Sequence, residues 1–474
     1  MSAAPTTLSN TAQPNTALSN TQARDMASLL HPFTNLTVLR QTGPLVVERG
    51  KGVFVYGADG RDYLEAMGGL WCTALGWGEE ELVEAAAEQM RKLPFAHIFG
   101  GKSHEPGIAL AEKLKEIAPF PVGKVFFANS GSEANDSQIK LMWYAANARG
   151  QTARKKIIAR DRAYHGVTLA SASLTGLESF HKSFDLPFNF TVRAECAHYY
   201  RGGRDGESEE QYSARLAADL EATILHEGPD TIAAMFVEAV MGAGGAMLPP
   251  KGYFEAITPV LRKYGIKLVD DEVICGFGRT GNAFGCQTYN FQPDSMSIAK
   301  ALSSAYLPIS AVLLSPELVD IIEEEAVRIG GLWHAFTYSA HPVSAAVALK
   351  TLELYERRDT FGHVRKVAPR FLGRLHGLRD HPLVGEADGV GLIGSVELCA
   401  DKKSRRNFEA SKGVAARCNQ FCQEEGLIVR PLLSDRIALC PPLVIQESEI
   451  DEMFDRFSRG LDKTLDWVKA EGLF

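Results

Sequence analysis

Short apolar runs separated by helix-length stretches dominate the chain from residue 124 onward, and this rhythm restricts the fold more than any other feature. The runs are KVFFA (124–128), KKIIA (155–159), TIAAMFVEAV (231–240), IKLVD (266–270) and SMSIA (295–299). Strands separated by helical crossovers predict an α/β domain built on a parallel sheet. In open sheets of this kind ligands bind just beyond the carboxyl ends of the strands. Here the runs lead into polar or glycine-rich sequence: NSGSEAND (129–136), RDRAYHG (160–166), Glu238, DEVICGFGRTG (271–281) and Lys300. One such coincidence means little; repeated at strand after strand, it marks a candidate site.

The flanking sequence reads differently. Residues 1–28, rich in Ser, Thr, Asn and Ala with no apolar core, read as a flexible leader rather than a secretory signal or a transit peptide. Short strands joined by Gly- and Asp-rich turns are expected over 44–69, and helices over 79–92 and 105–118. From about residue 343 the pattern runs helix, strands near 390–398 and 427–440, then a last helix. The expected organisation is therefore an N-terminal segment (29–79) that joins a smaller domain, a large domain (80–342), and a C-terminal α+β domain (343–474).

Bulk properties narrow the function. A net charge of −8 leaves no basic excess to neutralise phosphates, which argues against nucleic-acid or anionic-membrane partners. No apolar stretch has spanning length. The eight cysteines are scattered; only Cys418 and Cys422 are close, without further ligands at zinc spacing, so no metal site is expected and a reducing, cytoplasmic setting is.

The strand ends suggest chemistry. Ser130 and Glu133 stand at capping-box spacing, so a helix starting there would offer the N–H groups of Gly131, Ser132 and Glu133 to a phosphate. An ordinary capped helix fits the same residues. Asp270, Asp271 and Glu272 form a solvated acidic turn, a metal site, or a carboxylate partner for a protonated ring nitrogen; the glycines of GFGRTG would then let backbone pass beside a ligand. Tyr164 and His165 add an aromatic ring and an imidazole. Lys300 lies among apolar and small residues, a setting that penalises its ammonium form. A phosphate nest, a carboxylate, a stacking ring and one lysine are the parts that pyridoxal phosphate requires.

At this point the chain resembles the class III (omega) aminotransferases, within them most of all the pyruvate-dependent amine transaminases. The motifs that carry the resemblance are NSGSEAND, YHG, VEAVMGAGG, DEVICGFGRTG, IAKALSSAYLP and TYSAHP, and the likeness runs from residue 29 to the C-terminus. It implies fold type I, with a large, mainly parallel seven-stranded sheet domain and a smaller α+β domain. It implies that Lys300 forms the imine with the cofactor and that Asp271 pairs with the pyridinium nitrogen. Val273 would pack on the ring, Tyr164 would stack on it with His165 and Glu238 beside it, and Ser130, Gly131 and Ser132 would hold the phosphate. Thr337 would reach the phosphate of a neighbouring subunit, which implies a homodimer with shared sites, alone or paired into a tetramer. Arg430 would bind the acceptor's carboxylate, and Phe33, Trp71 and Phe99 would line the substrate pocket.

The expected activity is transfer of an amino group from a primary amine or ω-amino acid to a keto acid such as pyruvate. The alternatives are another enzyme of the same cofactor (racemase, decarboxylase or aminomutase) or a non-catalytic relative. The chain departs from the family's pattern at Ala96, Ala239, Asp270, Trp333, Ala335 and Phe336, changes expected to alter pocket volume and local rigidity.

Overall fold

The computed structural model describes residues 18–474. Three strands lead: β1 (Val47–Lys51), β2 (Phe54–Gly57) and β3 (Asp62–Glu65). The large sheet follows, made of β4 (Lys124–Ala128), β5 (Lys156–Arg160), β6 (Thr191–Ala194), β7 (Ile232–Val237), β8 (Lys267–Asp271), β9 (Ser295–Ile298) and β10 (Ser310–Leu314). Its order is β4-β10-β9-β8-β7-β5-β6. The β9–β8, β8–β7, β7–β5 and β5–β6 pairings are parallel, whereas β10 runs antiparallel to both β4 and β9. The sheet is thus mixed, not uniformly parallel.

Every residue of β7 and β10 is buried. Such strands carry no in-out alternation, which is why SAVLL (310–314) gave no separate strand signal beside the small-residue run before it. Fully burying a large apolar side chain contributes roughly 1.5–3 kcal/mol. Phe236, Ile157, Ile158, Met296 and Leu313, all at 0% exposure, therefore fix the sheet against its helices.

The helices expected near 79–92 and 105–118 form over Glu80–Lys92 and Glu105–Ile117. At the C-terminal end lie β11 (Val384–Val390), β12 (Ile393–Leu398), β13 (Leu427–Ile428), β14 (Arg430–Leu432) and β15 (Arg436–Leu439), closed by a helix over Glu447–Ala470. Strand β13 pairs in parallel with β3, Leu427 opposite Leu64, so the N-terminal sheet takes its fourth strand from the C-terminal segment. This pairing and the short β14 beside it bring Arg430 toward the ends of the large sheet.

Most of the expected leader, residues 1–17, lies outside the described residues. Within the rest, Asn20–Ser28 is helical, started by a reciprocal capping box between Ser19 and Gln22. Among the described residues, no helix is long and apolar enough to cross a membrane.

Candidate active site

Strands β9 and β8 are neighbours, with Asp271 opposite Ser297. Asp271 closes one strand and Lys300 follows the other, so a carboxylate and an amine meet at the same sheet edge. A cleft of roughly 410 Å³ opens there, lined by Asp271, Lys300, Glu238, Tyr164, His165 and Arg430 among others. Gly131, Ser132, Val273, Trp71 and Phe33 also line it.

Asp271 is 4% exposed and firmly held. Its Oδ2 accepts from Asn135 Nδ2 at 2.7 Å and from His165 Nδ1 at 2.8 Å, and its Oδ1 accepts from the Val273 N–H at 3.2 Å. Asn135 also donates to the His165 carbonyl at 2.7 Å, locking imidazole and carboxylate together. Asn135 stands inside NSGSEAND, yet sequence reasoning gave it no role. The only available signal was its place one helical turn after the glycine that faces the ligand edge.

Lys300 sits at φ +50°, a left-handed conformation that a lysine adopts only where its surroundings impose it. Its Nζ lies 5.4 Å from the Trp71 ring centroid. Burial pulls the amine below its usual basicity, although the charges of Cys72, Asp271 and Glu238 act the other way. Glu238 is buried and accepts from the N–H groups of Tyr164 (3.0 Å) and Gly242 (2.8 Å), which fixes the YHG turn; burial raises its carboxyl above the usual range.

The helix Gly131–Ala148 begins where expected, but its cap differs from the spacing-based reading. Ser130 Oγ accepts the Glu133 N–H at 3.2 Å, whereas the Glu133 carboxylate reaches past Ser130 to the N–H of Asn129 at 2.7 Å. Glu133 N–H is therefore used internally. Gly131 and Ser132 keep the first N–H groups at the positive end of the helix dipole. A side chain at Gly131 would bring its Cβ to 2.9 Å from Val273 Cγ1, so only glycine lets these two cleft walls close.

The GFGRTG run does not line the cleft. Gly278 and Gly281, at φ +100° and +94°, turn the chain beneath the C-terminal segment instead. The Arg279 guanidinium donates to the carbonyls of Leu392 (3.0 Å) and Pro441 (2.6 Å). This run ties the large sheet's domain to the C-terminal segment rather than approaching a ligand.

Phe99 and Thr337 stand outside the cleft and are exposed, as are Trp333 and Ala335. Ala239 is fully buried behind Glu238. Phe33, at the cleft mouth, packs on Phe180 with centroids 5.2 Å apart, and Phe180 packs on Tyr164 at 5.6 Å.

Asp270 points away from the cleft, beside Glu272, with both its oxygens buried and without hydrogen-bond partners among the described residues. Burial, with the neighbouring Glu272 reinforcing it, holds the Asp270 carboxyl far above the usual carboxylate range, and burial raises Glu272 as well. The folded protein thus keeps a proton that the unfolded chain releases near pH 4. Stability therefore falls as pH rises above that point, by about 1.4 kcal/mol per pH unit for each proton retained. Asp270→Asn removes the titration and keeps the side chain's shape. Its stability advantage over wild type, measured by urea unfolding, is expected to widen between pH 5 and pH 8; a constant difference would count against the buried neutral acid.

The site suits a phosphorylated ring cofactor: two free helix N–H groups, a carboxylate fixed by three donors, an aromatic wall and a desolvated amine share one cleft. The comparisons agree. Residues 37–461 match the family model of class III aminotransferases. The chain belongs to the class III aminotransferase family. It is 47% identical over 437 residues to a probable mitochondrial gamma-aminobutyrate transaminase 3 of Oryza sativa subsp. indica, covering 92% of this chain and 86% of that protein. The crystal structure of the omega transaminase from Pseudomonas jessenii in complex with PMP superposes with a TM-score of 0.93 at 47% identity, over 95% of this chain and 99% of that one. A transaminase solved with L-alanine gives 0.88 at 51% identity, over 90% and 100%. This aminotransferase accordingly depends on pyridoxal phosphate and carries the fold type I architecture.

Proposed function

We propose that this class III aminotransferase moves an amino group from a primary amine or ω-amino acid to pyruvate, releasing an aldehyde or ketone and alanine. The observation that carries the proposal is Arg430. Its guanidinium is largely buried in an otherwise apolar part of the cleft, and burial lowers its pKa. It rests over the Trp71 ring, 5.1 Å from the centroid. A desolvated cation held only by an aromatic face lacks the paired oxygens that a guanidinium binds best, and a keto-acid carboxylate supplies them. The walls of Phe33, Trp71, Leu177 and Phe180 suit the uncharged body of an amine in the other half of the reaction.

In this proposal Gly131 and Ser132 hold the cofactor phosphate with Ser130 shaping the nest. Tyr164 and Val273 flank the ring, and Asp271 keeps the proton on the ring nitrogen. Bound there, pyridoxal phosphate supplies an electron sink for charge left on a substrate carbon. The amine of Lys300, kept weakly basic by its surroundings, would take the proton from that carbon and deliver it to the cofactor's exocyclic carbon, and would carry it the opposite way in the other half-reaction. Asn135 and His165, both donors to Asp271 Oδ2, stop that carboxylate from turning away.

We extend the proposal to a homodimer in which Phe99 and Thr337 serve the neighbouring subunit's cleft. Exposed apolar side chains flank both in sequence: Phe95, Leu332, Trp333 at 80% and Tyr338 at 60% exposure, and Phe95 and Tyr338 are in edge contact at 5.9 Å. An apolar patch of this kind favours burial against a second copy. A cytoplasmic location belongs to the same reading and is supported by eight free thiols.

The test follows alanine formation from pyruvate with aryl-ethylamine, diamine and ω-amino-acid donors, in wild type and in Arg430→Ala. The variant is expected to raise KM for pyruvate by about 10²-fold, the scale of losing one partner of a desolvated charge pair, and to change KM for an uncharged-body amine by less than about threefold. Equal losses for both substrates would overturn the role of Arg430.

A further inference from the structure

Glu65, at the end of β3, is a carboxylate 3% exposed that the proposed chemistry does not use. Burial pushes its carboxyl up to about 8, and among the described residues the backbone N–H groups of Gly69 and Met67 pull it back. Glu65 Oε1 accepts from Met67 N–H at 3.2 Å and Oε2 from Gly69 N–H. A buried acid without a cation is costly, and an apolar residue would sit there more cheaply unless the two N–H groups needed a partner.

Those N–H groups belong to a contorted turn. Gly68, Gly69 and Trp71 all lie at positive φ, +53°, +67° and +59°. A tryptophan in that region is strained and persists only if its surroundings over-determine it. The same turn carries Leu70 and Trp71 into the cleft, and the Trp71 ring faces both Lys300 Nζ and the Arg430 guanidinium. Gly68 is crowded as well: a Cβ there would lie 3.2 Å from the Cys440 carbonyl oxygen, at a positive φ that disfavours any side chain.

We infer that Glu65 is a positioning residue that clamps the Gly68–Trp71 turn and so sets the size of amine the cleft admits. Without the clamp the turn relaxes toward ordinary backbone angles, and the Leu70–Trp71 wall gives way.

The test compares wild type with Glu65→Gln, which keeps the side chain's shape but replaces one oxygen that accepts an N–H by an amide nitrogen that cannot accept. Cofactor-loaded enzyme is assayed with a bulky aryl-alkyl amine and with isopropylamine, each against pyruvate. The ratio of kcat/KM for bulky over small amine is expected to rise about tenfold or more, through KM of the bulky amine, the scale at which pocket volume discriminates. A ratio unchanged within about twofold, with only a lower Tm, would overturn the inference, since a purely structural acid would damage both substrates alike. Amide exchange in wild type covers the case in which the variant does not fold. Met67 and Gly69 N–H groups are expected to stay protected for hours, and exchange within the first minute would equally overturn the clamp. The kinetic comparison presupposes the amine-transfer reading above. A wild type that turns over neither amine would count against that reading, and amide exchange still decides the clamp.

Discussion

Lys300→Ala is expected to lower the rate of alanine formation by about 10⁴-fold or more while leaving the folded state intact. The size of the effect follows from two losses at one atom: the amine that attaches to the cofactor and the base that moves the proton at the substrate carbon. Such paired roles do not add up as separate small effects. The fold survives because Lys300 contributes little to the core; its neighbours Ala299, Ala301 and Leu302 are the buried ones. Removing a desolvated amine also relieves a desolvation cost, so Tm should hold or rise. Cofactor binding is expected to weaken without disappearing, because Asp271 and the helix N-terminus at Gly131 remain. The measurement is single-turnover kinetics with amine alone, alongside a thermal melt. A variant that keeps more than about a tenth of wild-type turnover would remove Lys300 from the chemistry.

Asp271→Asn should cost about 10²–10⁴-fold in kcat, the range seen when one preorganised electrostatic group is removed from a site. The amide matches the carboxylate in shape, and its oxygen can still accept from Asn135 and His165. What disappears is the negative charge opposite the ring nitrogen, and with it the proton that makes the ring an effective electron sink. The loss should fall on kcat rather than on KM for pyruvate, because Arg430, not Asp271, is proposed to contact the acceptor's carboxylate. A loss confined to KM would contradict this assignment.

The candidate site was legible because it sits where strand periodicity stops. A reader who aligns the apolar runs finds Asp271 and Lys300 at adjacent ends, and these are the residues that the fold brings together. Other features depend on geometry that spacing does not carry. The capping-box pattern at Ser130 and Glu133 predicted the helix start correctly but not that Glu133 reaches back to Asn129, a choice set by side-chain direction. The glycines of GFGRTG signalled close approach, yet what they approach is the C-terminal segment, through Arg279, more than a hundred residues away in sequence. Strand β10 has no alternation because both its faces are covered, and its reversed direction is a matter of connection, not composition. Asn135 and Glu65 are polar residues with ordinary local signals, and only their buried partners reveal them. Phe99 and Thr337 were assigned through resemblance to the family; within one chain they lie away from the cleft.

The most direct measurement is borohydride reduction of the cofactor-loaded enzyme, followed by peptide mapping. Lys300 is predicted to be the one residue carrying a reduced pyridoxyl group, in the peptide that follows β9. An unlabelled Lys300, or a label on a different lysine, would contradict the account at its centre.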